Sequence, residues 1–305
     1  MVLGAARDLG LCPYDHRVLR TFPLAPVLAE AARAWPGDGA VRPRAASTVL
    51  LLRDRPAVGA VAGPEVFVLR RAATMAFAPQ MHVFPGGGVD LRDADPSVPW
   101  RGPDPSWWAE QLGTGLDEAR ELVCAAVREL FEECGVLLAG RPGDADVVAD
   151  LGDPQWEADR QALLDRSLAL SELLTHRGLV LRSDLLRPWA HWTTPVFEPR
   201  RYDTRFFVAA MPTGQRARDV GGEADHVAWV GARAAVEGHR EGRLAMLPPT
   251  LVALEEVAAH PDVTSVLAAP RRLRRVMPWL TDESLHVDLD GLGGGDAGPG
   301  QGGDA

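Results

Sequence analysis

The chain has 305 residues, enough for one large domain or for one domain with an appendage. Its hydrophobic content of 46% and charged content of 24% are ordinary for a soluble globular protein. A formal net charge of −10 argues against a general nucleic-acid-binding surface, which needs an excess of basic residues. A small anionic substrate stays compatible with this charge, because a bound divalent cation inverts the local field of an acidic site.

Three cysteines, Cys12, Cys124 and Cys134, stand far apart in the chain. Their number and spacing fit neither a zinc site nor a disulfide framework.

The N-terminal segment lacks the basic end and apolar run of a secretory signal, and no apolar stretch reaches the ~20 residues of a membrane helix. The expectation is a cytoplasmic protein that contacts no membrane.

The first part of the chain is predicted to form a short helix and then a group of strands. The helix is predicted at residues 24–35. Apolar segments at residues 45–53 and 66–71 predict two strands joined by a loop that contains Pro and Gly. A short strand at residues 80–84 leads into the glycine triplet 86–88, which is predicted as a tight turn.

A long loop and two long helices are predicted next. Residues 91–115 contain several Pro, Asp and Gly, which predicts a loop of unusual length. From residue 116 to residue 134 apolar side chains recur at helical spacing, and Gly135 is placed to end this helix in a left-handed conformation. A second amphipathic helix is predicted at residues 155–176.

Further strands and helices are predicted in the C-terminal half. The strands are at residues 189–196, 202–210 and 226–230, and the helices are one beginning at Ala232, one at residues 249–260 and a short one after Asp262. Mixed strands with helices on either side predict an α/β sandwich with a central mixed sheet. The final residues are almost all Gly, Asp, Pro and Ala, so a disordered tail is expected there.

Carboxylates cluster at the end of the helix predicted at residues 116–134. Glu129, Glu132 and Glu133 stand at positions i, i+3 and i+4, so their side chains project from nearly one face. Like charges at this spacing repel, and the C-terminal end of a helix disfavours anions. Both penalties disappear when a divalent cation binds there, because its positive charge offsets the carboxylates. Mg²⁺ is a suitable cation, since it prefers oxygen ligands. Taken alone, the cluster also fits an ordinary solvated acidic surface.

Two neighbouring features favour the metal site over the acidic surface. Arg128 can hold one carboxylate through a bidentate contact. Upstream, the segment FPGGG at residues 84–88 places a backbone without side chains after a short strand. Such a segment lets a carbonyl oxygen reach a metal ion and lets a phosphate approach closely.

Together these residues resemble the Nudix box, in which a glycine is followed at a distance by Arg-Glu-aliphatic-any-Glu-Glu-any-Gly-aliphatic. The second half of that pattern is complete at residues 128–136, and the first half is present as Pro85-Gly86-Gly87 followed by Asp90. The resemblance implies an α/β/α Nudix sandwich. It also implies Mg²⁺- or Mn²⁺-dependent hydrolysis of a diphosphate bond in a nucleotide derivative.

The resemblance also implies roles for single residues. Glu129, Glu132 and Glu133 match the metal-binding glutamates, and Glu129 is also the candidate base. Arg128 matches the arginine that holds this carboxylate in place, so the implied catalytic residues are Glu129, Arg128 and Glu132. The carbonyl oxygen of Gly87 matches the glycine oxygen that completes the coordination.

Further candidates lie outside the core of the box. Glu223 resembles the acid that many family members supply from a late loop, with a surface acid as the alternative. The candidates for substrate binding are Arg71, Gly86, Gly88, Arg201 and Arg205. For the arginines at the turn between the two predicted strands, a solvated surface role is the alternative.

The chain departs from the usual box in two places, and it also departs from coenzyme A hydrolases at one position before the box. About 40 residues separate Gly87 from Arg128, far more than usual, and Arg120 replaces the early glutamate, for which Glu118 or Glu121 could substitute. The long insertion resembles the subgroup that includes the peroxisomal coenzyme A diphosphatase, and this likeness covers roughly residues 45–260. A glycine of coenzyme A hydrolases, four residues before the FPGG phenylalanine, is replaced by Gln80.

The domain organisation follows from the resemblance. It comprises an N-terminal extension at 1–40, a Nudix domain at 41–260 with insertions at about 91–115 and 150–187, a C-terminal helical extension at 261–285 and a disordered tail at 286–305.

Coenzyme A or an acyl derivative is the leading substrate, with ADP-ribose, a dinucleotide or a nucleotide sugar as alternatives. A Nudix fold can also act as a nucleotide-binding sensor without turnover, and a structural acidic helix in an unrelated α/β protein is a third hypothesis. The expected partner is therefore a small nucleotide-diphosphate molecule, with no nucleic acid, and a homodimer is left open.

Overall fold

A mixed β-sheet with helices on both faces organises the chain. The structure, a computed structural model, describes residues 19–54, 63–75, 78–220, 224–281 and 284–289. The strands are β1 (Leu19–Pro23), β2 (Arg44–Asp54), β3 (Pro64–Arg71), β4 (His82–Val83), β5 (Gly86–Gly88), β6 (Trp100–Arg101), β7 (Ala139–Gly140), β8 (Val180–Arg182), β9 (Arg187–Thr193), β10 (Tyr202–Ala210), β11 (Ala224–Gly231), β12 (Arg275–Val276), β13 (Trp279–Thr281) and β14 (Ser284–Asp288). The helices are α1 (Pro26–Ala34), α2 (Pro105–Leu112), α3 (Leu116–Cys134), α4 (Pro154–Leu164), α5 (Leu170–Arg177), α6 (Ala232–Arg240), α7 (Pro248–Ala258) and α8 (Val263–Ala268), with 3-10 helices at Leu91–Ala94 and Ser183–Leu185.

Eight strands form the central sheet. Six follow the order β11-β3-β2-β10-β9-β12, while β4 pairs with β3 and β5 pairs with β2. Strand β10 is parallel to β2 and β12 is parallel to β9, whereas the other pairs are antiparallel. The predicted mixed sheet is therefore confirmed. Two smaller sheets have the orders β1-β14-β13 and β6-β8-β7.

Strand β2 explains why the sheet is covered on both faces. Its side chains alternate, so Val49 and Leu51 pack with α3 on one side while Leu50 and Leu52 pack with α6 and α7 on the other. All four side chains are buried. A continuous apolar run is typical of a strand buried on both faces, which accounts for its sequence. The predicted α/β sandwich is confirmed.

Helix α3 has the bounds that its sequence predicts. It begins after Gly115 and ends at Gly135, which adopts the left-handed conformation with φ of 70° and donates its N–H to the carbonyl oxygen of Phe131 at 3.0 Å. The apolar positions that predicted the helix, among them Leu122 and Leu130, are fully buried. The helical period and Gly135 were therefore enough to place this element.

The loop predicted at residues 91–115 is wrong in part, because it contains a 3-10 helix, β6 and α2. Asp104 caps α2 by accepting hydrogen bonds from the N–H groups of Ser106 and Trp107. Within α2 the Trp108 ring is fully buried and packs against Phe207 of β10 at 5.8 Å between ring centroids. The combination Asp-Pro before a helix is a start signal that the high content of Pro, Asp and Gly obscured.

Two other predicted elements also differ from the structure. The helix predicted at residues 155–176 is two helices, α4 and α5, separated by a turn in which Arg166 has φ of 60°. The glycine triplet predicted as a turn is strand β5, in which Gly87 pairs with Ser47. A glycine strand is weak by propensity, so it forms here because β2 offers it a buried partner.

The C-terminal extension predicted as helical at 261–285 contains one helix, α8, followed by strands β12 to β14. Strand β14 continues to Asp288, so the predicted start of the disordered tail at residue 286 is also wrong. The alternation of buried Leu285 and Val287 with His286 is a strand period, and it pairs β14 with β1. Residues 290–305 lie outside the described residues, as does Cys12, whereas Cys124 and Cys134 are buried.

No helix in the described residues combines the length and the apolar character that a bilayer crossing requires.

Gln80 occupies a backbone conformation that favours glycine, with φ of 59° and an exposed side chain. Replacing it by glycine removes the steric cost of a Cβ in the left-handed region. We therefore expect Gln80→Gly to raise the free energy of unfolding by up to about 1 kcal/mol in urea denaturation. Gln161→Gly, at an exposed position inside helix α4, should lower it by about 1 kcal/mol. A destabilised Gln80→Gly variant would contradict this explanation.

Candidate active site

The glycine strand lies directly under the acidic end of α3. Ser47 of β2 anchors the helix, because its hydroxyl donates to the carbonyl oxygen of Leu122 at 2.6 Å. This contact brings Glu129 over Gly87, where a Cβ on the glycine would stand 2.5 Å from the Glu129 Oε1. The N–H of Gly86 donates to Glu133 Oε2 at 2.8 Å. The two halves of the motif therefore meet, although about 40 residues separate them.

Arg128 is the centre of the polar contacts at this end of α3. Its Nη1 donates to Glu129 Oε1 at 2.8 Å and to Glu132 Oε2 at 3.1 Å. Its Nη2 donates to the carbonyl oxygen of Gly88 at 2.9 Å, which ties the helix to β5. The predicted contact between Arg128 and Glu129 is present, but it uses a single nitrogen.

The bidentate partner of Arg128 is Asp93, which the sequence analysis did not single out. The Nε of Arg128 lies 3.0 Å from Asp93 Oδ1 and its Nη2 lies 2.9 Å from Oδ2. Asp93 is 1% exposed. The Asp90 side chain accepts from the N–H of Arg92, and the N–H of Asp90 donates to Asp93 Oδ2 at 2.8 Å, as in a capping box. Two aspartates three positions apart were the available sequence signal.

Three buried carboxylates share one guanidinium in this cluster. Burial raises the pKa of Asp93 and of Glu132, and Arg128 opposes the rise in both. Burial raises the pKa of Glu129 to about 7, an effect that Arg128 opposes and Glu132 reinforces. With all three ionised, the cluster carries two negative charges more than Arg128 can offset. A bound divalent cation would supply that missing charge.

The donor set suits a hard cation, because it consists of carboxylate oxygens. The predicted Gly87 carbonyl is not part of it: Ser47 and Gly87 form a hydrogen-bonded pair of β2 and β5, so this carbonyl faces β2. Among the described residues, however, no group of three His, Cys, Asp or Glu is already arranged to hold a metal ion. The contacts explain this result, since Arg128 binds Glu129 and Glu132 while Glu133 turns to the N–H of Gly86. The charge and the donors fit a divalent cation, and the side chains must reorient to bind it.

Comparison with known proteins identifies the family. A family model described as the NUDT19 Nudix domain matches residues 108–257. The crystal structure of a NUDIX hydrolase from Alicyclobacillus acidocaldarius is 30% identical, with a TM-score of 0.62, and the alignment covers 76% of this chain and 98% of that one. The chain belongs to the Nudix hydrolase family. The resemblance and the fold that it implied are therefore confirmed.

Curated Nudix relatives match at lower identity. The acyl-coenzyme A diphosphatase NUDT19 of Gallus gallus is 29% identical over 215 residues, which are 56% of either chain. The putative nudix hydrolase 7 of Caenorhabditis elegans is 27% identical over 197 residues, which cover 65% of this chain and 57% of that protein. The chain thus spans a little over half the length of the curated relatives it matches.

The Nudix box brings together seven of the predicted site residues, which are Gly86, Gly87, Gly88, Arg128, Glu129, Glu132 and Glu133. Glu223 lies outside the described residues. Arg71 is half-buried and ends β3 on the face that packs against α3, as the alternation from Phe67 and Leu69 requires. It therefore lies on the side of the sheet that carries the box.

Two predicted substrate-binding arginines are engaged elsewhere. Arg201 is buried and donates to the carbonyl oxygens of Val41 and Thr194 at 2.7 and 3.1 Å. Arg205 is also buried, and its Nη1 lies 2.7 Å from Asp203 Oδ2. Within the described parts of the chain, neither side chain is hydrogen-bonded to a residue of the box. The surface role considered for them is wrong, since neither is exposed.

The missing early glutamate of the Nudix box has two candidate replacements, Glu118 and Glu121. Glu118 accepts a hydrogen bond from the Thr114 hydroxyl at the start of α3. Glu121 is half-buried, and burial followed by the charge of Glu118 raises its pKa. The charges of Asp117 and Asp93 add to that rise. Both glutamates therefore stay candidates for the replacement.

Gly87→Ala should impair the Nudix site without unfolding the protein. The added methyl group would displace the Glu129 carboxylate, whereas a Cβ at Gly115, which precedes α3, meets nothing within 4 Å. We expect about a tenfold loss of turnover in Gly87→Ala, by analogy with mutations that shift a supporting group, and little change in Gly115→Ala. Steady-state kinetics on both variants test this, and equal activities would contradict it.

Proposed function

We propose that this Nudix protein is a Mg²⁺- or Mn²⁺-dependent diphosphatase that hydrolyses coenzyme A or acyl-coenzyme A. The observation that carries the reaction type is the buried cluster of Asp93, Glu129 and Glu132 around Arg128, set against the glycine strand. The substrate is supported by the match to the NUDT19 Nudix domain and by the acyl-coenzyme A diphosphatase of Gallus gallus. ADP-ribose, dinucleotides and nucleotide sugars are the alternative substrates.

The chemistry required is attack of water on one phosphorus of the diphosphate. A new P–O bond forms, the bridging P–O bond breaks, and coenzyme A yields a phosphopantetheine fragment and adenosine 3′,5′-bisphosphate. A bound divalent cation supplies charge neutralisation and acidifies water. The carboxylates of Glu129, Glu132 and Glu133 would hold it.

The residues of the chain supply positioning and proton transfer. Glu129 lies over the backbone of Gly87 and is the candidate to accept the proton that water loses. Arg128 orients Glu129 and Glu132 by donating to both. Gly86 and Gly88 present backbone without side chains, so a phosphate group can approach β5 closely. Phosphoryl transfer depends mostly on such positioning and on electrostatic stabilisation.

A chromatographic screen tests this proposal. Coenzyme A, acetyl-coenzyme A, ADP-ribose, a diadenosine polyphosphate and a nucleotide sugar are incubated with the protein and Mg²⁺, Mn²⁺ or a chelator. We expect adenosine 3′,5′-bisphosphate from the two coenzyme A compounds in the presence of metal only. Faster cleavage of another substrate would overturn the substrate assignment. Binding of nucleotide without any cleavage would favour the alternative of a sensor.

A further inference from the structure

A buried arginine of the inserted helix α4 contacts the main chain at the catalytic end of α3. Arg160 is 2% exposed, although it carries a charge. Its Nη1 donates to the carbonyl oxygen of Glu132 at 2.8 Å, and its Nη2 lies 3.3 Å from the carbonyl oxygen of Val220. Burying a guanidinium is costly unless it is paired and hydrogen-bonded, so these contacts must be specific.

Arg160 donates a hydrogen bond to a main-chain carbonyl in the last turn of α3. The carbonyl oxygen of Phe131 accepts from the N–H of Gly135 at 3.0 Å, and that of Cys134 accepts from the N–H of Arg218 at 3.1 Å. The Glu132 carbonyl between them has Arg160 as its donor. A cation at this position also opposes the negative pole of the helix, at the point where the Nudix carboxylates concentrate negative charge.

Glu157 holds this arrangement in place. It pairs with the Arg160 Nε at 3.1 Å and with the Arg218 Nη2 at 3.0 Å. The hydrogen bond from Arg160 lowers the pKa of Glu157 to about 2, so this carboxylate is ionised at neutral pH. The guanidinium of Arg218 also lies against Gly135, where a Cβ would stand 3.2 Å from its Nε. The insertion therefore contacts α3 through a connected network of charged groups.

We infer that Arg160 is a positioning residue of the Nudix site: by holding the Glu132 carbonyl and opposing the helix pole, it fixes the direction in which the Glu132 carboxylate projects towards the cation. Arg160 acts through the main chain of Glu132 and does not touch the substrate. The contact with Val220 also joins α4 to the segment that follows β10. The inference rests on the proposed function, because it assumes a divalent cation at the box.

Arg182 offers a matched control in the same insertion. It is a buried arginine that pairs with the Asp184 carboxylate at 2.7 Å and donates to the carbonyl oxygen of Ala145 at 2.7 Å. These side-chain contacts are of the same kind as those of Arg160, but none of them is to α3. Glutamine at either position removes one buried charge and the same types of hydrogen bond. A general loss of stability therefore affects both variants, whereas a positioning role affects only one.

Calorimetric titration with Mn²⁺ in the absence of substrate tests the inference. We expect Arg160→Gln to weaken Mn²⁺ binding about tenfold or more, as removal of a supporting group around a metal site does. In saturating metal, kcat should fall while KM changes little. Arg182→Gln should keep the Mn²⁺ affinity within about twofold of the wild type, because its side chain does not contact α3. Equal Mn²⁺ affinities of Arg160→Gln and the wild type would overturn the inference, as would equal weakening in both variants.

A second pair of variants, with lysine in place of arginine, tests the inference if the glutamine variants do not fold. Lysine keeps the charge but cannot reach Glu157, Glu132 and Val220 together, since it lacks the forked geometry of arginine. Weaker Mn²⁺ binding in Arg160→Lys than in Arg182→Lys supports the inference, and equal binding overturns it. If the wild type binds no Mn²⁺ and cleaves no substrate, the proposed function fails. If the wild type binds Mn²⁺ and the Arg160 variants bind it equally well, only this inference fails.

Discussion

Replacement of Glu132 by glutamine is expected to lower kcat of metal-dependent hydrolysis by a factor of about 10² or more, the loss typical of removing one electrostatic stabiliser. The amide keeps the shape of the side chain, so packing is retained. It removes the negative charge that would bind the cation, and it leaves Arg128 with Asp93 and Glu129. Turnover should therefore fall while the cooperative unfolding transition persists.

Asp117→Asn is the control for this experiment, because it neutralises an acid on the same helix at a position 86% exposed in its side chain. We expect it to keep turnover within about a factor of two, since a surface charge near a helix end contributes only a few tenths of a kcal/mol. Near-normal Mg²⁺-dependent turnover in Glu132→Gln would falsify the role given to this glutamate.

Arg128→Met should cost about 3–5 kcal/mol of folding stability in the absence of metal, because it leaves buried charges without a partner. Burial raises the pKa values of Asp93, Glu129 and Glu132, so their protonated forms favour the folded state. The free energy of unfolding therefore falls as the pH rises through these pKa values and the buried carboxyl groups lose their protons. The pKa of Glu129 is about 7. The loss in Arg128→Met should be larger at pH 8 than at pH 5.

Denaturant unfolding at both pH values measures this effect, and a double variant isolates its cause. Asp93→Asn in the Arg128→Met background removes one of the stranded charges, so the double variant should lose less stability than the sum of the two single variants. Addition of Mg²⁺ should recover part of the loss, because a ligand that binds only the folded state stabilises it. A change below about 0.5 kcal/mol in Arg128→Met at pH 8 would contradict the buried-charge account.

The parts of the site that follow from local spacing could be predicted from the sequence. Helix α3 depends on its own apolar period and on Gly135, so its bounds and the common face of Glu129 and Glu132 were predictable. Asp93 depends on a contact with Arg128 across 35 positions, and Arg160 depends on a carbonyl 28 positions away. No local pattern encodes such contacts, because they arise only when separate elements pack together.

The errors in the predicted fold have a similar origin. The helix predicted at residues 155–176 had the apolar content of one helix, but the turn at Arg166 divides it, and a left-handed arginine has no sequence signal. The glycine triplet forms a strand only because β2 supplies its partner. Strand β14 had a readable alternation, yet it was short, and its partner lies at the opposite end of the described chain.

The pairing of β1 with β14 has a consequence for biosynthesis. The hydroxyl of Thr21 and the imidazole of His286 lie 3.1 Å apart across 265 positions of the chain. A ribosome delivers β1 early, so this strand must wait for its partner until translation has passed residue 288. Closing so long a loop carries a large entropic cost, and the buried side chain of Phe22 lacks its neighbour Leu285 until then. The nascent protein can thus form the central sheet, which carries the Nudix box, before β1 and β14 pair in the small sheet.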